Sequence, residues 1–102
     1  MRKGVLDIAR DEIKITVRLR IIGRVQGVFF RKSTKDKADE LGVLGWVRND
    51  RDGTVEIMAT GDKEILEKFI SWCKKGPPLS KVKNVDIDWL SEVESYENFV
   101  II

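Results

Sequence analysis

Apolar and polar residues alternate from Ile13 to Ile21. Ile13, Ile15, Val17, Leu19 and Ile21 share one face, and Lys14, Thr16, Arg18 and Arg20 the other. Period two with one apolar side predicts a half-buried strand whose polar side faces solvent. The period then changes. Phe30, Thr34, Ala38 and Leu41 fall at spacings of four, four and three, one stripe of a helix, and Gly42 stands where a C-terminal cap belongs. Val43 to Asn49 reads as a second strand and Thr54 to Thr60 as a third, with Val55, Ile57 and Ala59 on one face. Asp50-Arg51-Asp52-Gly53 between them has turn composition, so the two strands form a hairpin. Asp62 can cap a second helix with the stripe Ile65, Leu66, Phe69, Ile70 and Cys73, and Gly76-Pro77-Pro78 stops it. Val85, Ile87 and Trp89 mark a fourth strand, and Asn98 to Ile102 offers a short fifth segment.

The order β-α-β-β-α-β with a small terminal strand predicts an α+β, ferredoxin-like sandwich: an antiparallel sheet with two helices on one face and a short C-terminal strand. Residues 1–12 are charged and irregular and read as an N-terminal extension, leaving 13–102 as the domain. Neither internal repeats nor low-complexity stretches break it up.

Composition narrows the function more by what it lacks. The chain has 102 residues and 42% hydrophobic content, enough for one small domain with its own core. Charged residues reach 35%, yet the net charge is only +2, which does not mark a dedicated nucleic-acid binder. No apolar run has the length of a membrane span, and Met-Arg-Lys-Gly-Val-Leu-Asp lacks a signal-peptide apolar region. The expectation is a cytoplasmic monomer with no membrane partner. Cys73 is the single cysteine, so no internal disulfide forms. Histidine is absent altogether. That removes Ser-His and Cys-His nucleophiles, phosphohistidine chemistry and His-ligated metals. Cys73 is followed by Lys-Lys-Gly-Pro-Pro-Leu rather than a phosphate loop ending in arginine, which argues against a thiol phosphatase. Few Asn, Gln and Cys beside many Lys, Arg and Glu lean toward a thermophilic source.

The chemistry concentrates in Gly23-Arg24-Val25-Gln26-Gly27-Val28-Phe29-Phe30-Arg31, between the first strand and first helix. On spacing alone the two glycines are compatible with a plain tight turn. The other reading is an anion loop, with backbone N–H groups, a helix N-terminus and a guanidinium converging on a phosphate. The second reading draws on three features. Val25, Val28, Phe29 and Phe30 can anchor the loop. Arg31 sits at the start of the helix, where the dipole disfavours an unpaired cation and a bound anion would offset that penalty. The segment also holds no acid to compete for the amides. Asn49, closing the second strand, is either a turn-initiating residue or an amide that orients a water toward a bound phosphoryl group. Arg24 and Arg48 read as solvated charges near the anion, and Trp46, Trp72 and Trp89 as packing residues.

The Gly23–Arg31 segment closely resembles the signature of the acylphosphatases, as does Gly45-Trp46-Val47-Arg48-Asn49 followed by Asp52-Gly53-Thr54-Val55. The resemblance covers about residues 13 to 102, including Gly76-Pro77-Pro78 and Tyr96 to Ile102. It implies a ferredoxin-like fold and hydrolysis of carboxyl-phosphate mixed anhydrides to carboxylate and inorganic phosphate. It also implies Arg31 as the phosphate-binding arginine and Asn49 as the water-positioning asparagine. The backbone amides of Arg24, Val25, Gln26, Gly27 and Val28 would form the phosphate cradle.

Such a substrate suits a chain without histidine. An acyl phosphate expels a carboxylate whose conjugate acid has a pKa of about 4 to 5, so it needs no general acid. Phosphoryl transfer through a loose transition state asks mainly for positioning and charge stabilisation. No carboxylate cluster has metal-ligand spacing, and no metal or other cofactor is expected. The alternative is a noncatalytic ferredoxin-like module that binds phosphate or RNA. An RNA-binding sheet would want exposed aromatics on its central strands. The first strand shows none on its outer face, and the third shows Thr54, Glu56 and Met58.

Overall fold

The computed structural model of the chain describes residues 13–102, and the extension expected at 1–12 lies outside them. The elements are β1 (Ile15–Arg24), α1 (Phe30–Leu41), β2 (Leu44–Asn49), β3 (Val55–Gly61), α2 (Lys63–Lys75), β4 (Lys81–Trp89) and β5 (Phe99–Ile101). They form a five-stranded sheet in the order β4-β1-β3-β2-β5. β1 runs antiparallel to β3 and β4, and β2 antiparallel to β3. β5 adds parallel to β2, so the sheet is mixed rather than purely antiparallel.

The apolar periodicities explain the layering. Val17, Leu19 and Ile21 of β1, Val47 of β2 and Val55, Ile57 and Ala59 of β3 all point to the helix side and are fully buried. Phe30, Ala38, Leu66, Phe69, Ile70 and Cys73 from the two helices cover them in one continuous core. Each such Val, Leu or Ile stabilises the fold by about 1.5–3 kcal/mol. Asp62 caps α2, its carboxylate accepting from Ile65 N–H, and Gly42 closes α1. Phe69 meets Phe99 of β5 edge-on at 6.0 Å, and Lys35 Nζ of α1 donates to Phe99 O at 2.9 Å, so both helices hold the last strand.

Strand β1 is displaced from its expected span. Ile13 precedes it and is exposed, while the strand continues through Gly23 and Arg24, with a register shift against β4 between Ile22 and Gly23. The ladder with β4 carries the pairing past the apolar alternation.

The outer face differs from expectation at Thr16, which is fully buried. The chain after β4 folds over it. Leu90 N–H donates to Thr16 O at 2.9 Å, and Glu94 N–H to Thr16 Oγ1 at 2.8 Å. Thr60 Oγ1 donates to Glu94 O at 2.8 Å, so Thr16 supplies the hydrogen in the 2.7 Å contact between the two hydroxyls. The hydroxyls of Thr16 and Thr60 are thus satisfied without solvent.

Arg48 keeps the exposure of a solvated charge, with its side chain 47% exposed, but it is ion-paired. It lies on the outer face, donating Nε and Nη2 to the buried carboxylate of Glu56 at 3.0 and 2.6 Å. Its guanidinium covers the Trp46 ring at 5.2 Å. Of the three tryptophans, Trp72 packs inward against Phe30, at 5.8 Å between ring centroids. Trp89 stands exposed on edge strand β4 with the Lys63 ammonium 6.0 Å from its ring, so it does not belong to the core.

Candidate active site

β1 and β2 are each antiparallel to β3, so they run parallel to one another and end at the same side of the sheet. Arg24 closes the first and Asn49 the second. The loop after Arg24 passes over that sheet end and delivers the N-terminus of α1 to it. Val25 and Val28 anchor the loop, both turned into the core. Between them Gly27 adopts φ 73°, and nothing lies within 4 Å of the place a Cβ would occupy. A glycine is required there by conformation, not by space.

Phe29 follows at φ 63°, ψ 22°, also left-handed, immediately before the helix. Left-handed residues leading into right-handed helical ones turn successive N–H groups toward one concavity, an anion nest. Among the described residues the N–H groups of Val25 to Lys32 find no acceptor, and the first bond of the α1 ladder is Ser33 N–H to Phe29 O at 3.0 Å. No side chain caps α1 and no acid lies in its first turn. A positively polarised helix end therefore stays open.

Arg31 sits in that first turn, exposed, with no carboxylate partner among the described residues. The other cations of α1 are paired: Lys32 with Asp36 at 2.9 Å, Lys35 with Asp39 at 2.9 Å and Lys37 with Glu40 at 3.2 Å. Across from it, Asn49 Oδ1 is buried and has no hydrogen-bond partner. A recess of about 340 Å³ joins these groups, lined by Val25, Gly27, Phe29, Phe30, Arg31, Lys32, Asn49 and Ile101, with no carboxylate among them. A larger hollow of about 750 Å³ near α1 and α2 includes Asp36, Glu40 and Trp72 but none of the Gly23–Arg31 segment.

The structure thus brings Val25, Gly27, Arg31 and Asn49 to one recess. Arg24 ends β1 opposite Lys81 of β4, its side chain exposed at the rim of the sheet. The Val28 side chain faces the core, leaving its amide in the loop.

Gln26 has a larger part than its backbone amide. Its Nε2 donates to Asp50 O at 2.7 Å and to Thr54 O at 2.8 Å, joining the loop to the turn that follows Asn49. The turn is itself well made. Asp50 N–H donates to Thr54 O at 2.8 Å, and Asp52 Oδ1 accepts from the Thr54 hydroxyl at 2.6 Å and its N–H at 3.0 Å. Arg20 Nη1 reaches Asp50 Oδ2 at 3.2 Å and Asp52 Oδ2 at 3.3 Å. The Thr54 hydroxyl, its amide and the Arg20 charge hold the Asp52 carboxyl below the usual carboxylate range, and the bond to Asp50 raises Arg20 above its ordinary value. Burial pushes the Cys73 thiol well up, away from the reactive thiolate. No local pattern marks Gln26 for this part, because its acceptors lie 24 and 28 residues further along the chain.

The acylphosphatase family model matches residues 17–101. The chain belongs to the acylphosphatase family. An acylphosphatase of Pelotomaculum thermopropionicum is 47% identical over 81 residues, 79% of this chain and 88% of that one. Among solved structures, an acylphosphatase from Coxiella burnetii superposes with a TM-score of 0.86 at 35% identity, over 93% of this chain and 99% of its own. The acylphosphatase from Bacillus subtilis gives a TM-score of 0.84 at 38% identity, over 86% and 98% respectively. The protein is therefore an acylphosphatase-family enzyme with that family's fold, and the match runs from β1 through β5, taking in both the loop and Asn49. No helix among the described residues is long and apolar enough to cross a membrane.

Proposed function

We propose that the recess hydrolyses acyl phosphates to carboxylate and inorganic phosphate, with Arg31 and the loop amides holding the phosphoryl group and Asn49 orienting the attacking water. The observation that carries this reading is the buried Oδ1 of Asn49 in the same recess as Arg31, both without a partner among the described residues. A buried acceptor without a donor costs stability, on the order of 1–3 kcal/mol, unless a ligand or water uses it.

The phosphoryl oxygens accept hydrogen bonds from the amides of Arg24 to Val28 and from the Arg31 guanidinium, in a site free of competing carboxylates. Asn49 Oδ1 accepts one O–H of a water and so aims the water lone pair at phosphorus. The new P–O bond forms as the bond to the acyl oxygen breaks. The bonding pair leaves with the carboxylate, and the proton of the attacking water passes to the released phosphate or to solvent. Because the leaving group is already a weak base, no step requires a general acid or a metal. The groups that matter are preorganised donors, which act most strongly where charge spreads in the transition state. A passive phosphate-binding site would not need Asn49.

An RNA-binding role draws less support. The outer faces of β1 and β3 centre on the buried Glu56 carboxylate, and Thr16 is covered. Neither offers a base a stacking surface.

The test is benzoyl phosphate turnover, with and without chelator, by the wild type, Asn49→Ala and Arg31→Ala. Arg31→Ala should lose phosphate inhibition and turnover together. Asn49→Ala should keep phosphate inhibition and lose turnover. Near-wild-type turnover in either variant would overturn the role given to that residue.

A further inference from the structure

Phe29 is out of keeping with its neighbours. Phe30, Phe69 and Phe99 are buried, whereas Phe29 is 73% exposed. It is also a non-glycine residue at positive φ, a conformation that glycine adopts without strain and a bulky side chain does not. It takes no part in the core cluster, so packing does not compensate the strain. Its position puts Phe29 on the wall of the recess. Ile101 of β5, 39% exposed, lines the same recess. The recess is therefore mixed in chemistry. Arg31, Asn49 and the loop amides supply its polar groups, and Phe29 with Ile101 supply apolar surface. Lys32, also on the wall, is drawn to Asp36 at 2.9 Å.

We infer that Phe29 and Ile101 form a subsite for the acyl group, selecting acyl phosphates with an aromatic or extended apolar acyl chain over small polar ones such as carbamoyl phosphate. This rests on the proposed hydrolysis of acyl phosphates. Apolar surface beside the scissile bond rewards a substrate that covers it and gives nothing to a carbamoyl or acetyl group too short to reach. Strained residues persist where the surrounding structure holds them for use, and the left-handed turn that aims the loop amides also leaves Phe29 exposed at the recess.

The experiment measures kcat/KM for benzoyl phosphate and acetyl phosphate with the wild type, Phe29→Ala, Phe29→Leu and Ile101→Ser. The benzoyl-to-acetyl ratio should fall about tenfold in Phe29→Ala, less in Ile101→Ser, and recover in part in Phe29→Leu, which keeps apolar surface. An unchanged ratio, or an equal loss on both substrates, overturns the subsite. Should Phe29→Ala fail to fold by circular dichroism, Ile101→Ser decides by the same criterion. Calorimetric binding of benzylphosphonate against methylphosphonate to the wild type separates the two claims. Tighter benzylphosphonate binding without turnover would sink the hydrolytic reading and leave the apolar subsite standing. Equal binding of the two overturns the subsite whatever the turnover.

Discussion

Gln26 and Thr54 are joined by a hydrogen bond of 2.8 Å across 28 residues of sequence, and the same Nε2 reaches Asp50 O at 2.7 Å. One amide thus clamps the loop that carries the Arg31 end of the site to the turn that carries the Asn49 end. Gln26→Ala should free two carbonyls and let the halves drift. A displacement of about 1 Å can cost on the order of a hundredfold in rate, so kcat should fall between about 10- and 100-fold. Unfolding in urea should show a loss of about 1–3 kcal/mol. Gln26→Glu should be worse than alanine, since it sets a carboxylate against two carbonyl oxygens.

Asn49 should trade stability against activity. Its orphaned Oδ1 is a cost in the free protein. Asn49→Ala should lower kcat by about 10²–10³-fold, the range for loss of one preorganised group. Urea unfolding should show no loss of stability, and a gain of up to about 1 kcal/mol. A large destabilisation would mean that the side chain is a structural member of β2 instead.

Gly45 tests the sheet rather than the site. It sits at φ 141°, and a Cβ there would collide with the carbonyl oxygen of Met58 on β3. Gly45→Ala should therefore force β2 away from β3 and destabilise by roughly 3 kcal/mol or more. Because Asn49 lies at the end of the same strand, turnover should fall too. Thermal unfolding together with an acyl phosphate assay would check both.

Acid should weaken the turn beneath the site. The folded pKa of Asp52 lies below its ordinary value, chiefly through the Thr54 hydroxyl, then the Thr54 amide and Arg20. A depressed carboxylate contributes stability that is fully present above its unfolded pKa of about 3.9 and is lost as pH falls through the folded value. Asp52→Asn should accordingly lower the melting temperature at pH 7 and flatten its decline below about pH 4. An unchanged pH dependence of melting would show that the bonds to Thr54 and Arg20 do not couple to folding.

The elements were largely readable from the chain because each is set by its own neighbours. Asp62 caps the helix it precedes, Gly42 ends the one it follows, and the Val55, Ile57, Ala59 face is buried as its alternation requires. The exceptions share one cause. Thr16 looked like a solvent residue and is buried because a segment 78 residues away donates Glu94 N–H to it. Arg48 looked like a solvated charge and is paired with Glu56 from the next strand. Trp89 looked like packing and lies on an edge, where no further strand covers it.

The sequence by itself determined the candidates for the chemistry: two glycines and an arginine between a strand and a helix, an asparagine ahead of a turn, and no histidine. Those are local facts, and conformational preference and side-chain type suffice to read them. Only the tertiary structure decided that the ends of β1 and β2 meet, so that Arg31 and Asn49 share a recess while Arg48, next to Asn49 in the chain, faces the opposite side. It alone decided that Gln26 ties the two halves together and that Phe29 is left exposed at the recess. Periodicity reports which face of an element is apolar, but contacts between distant residues depend on strand order and register, and these emerge only when all the elements bury their faces at once.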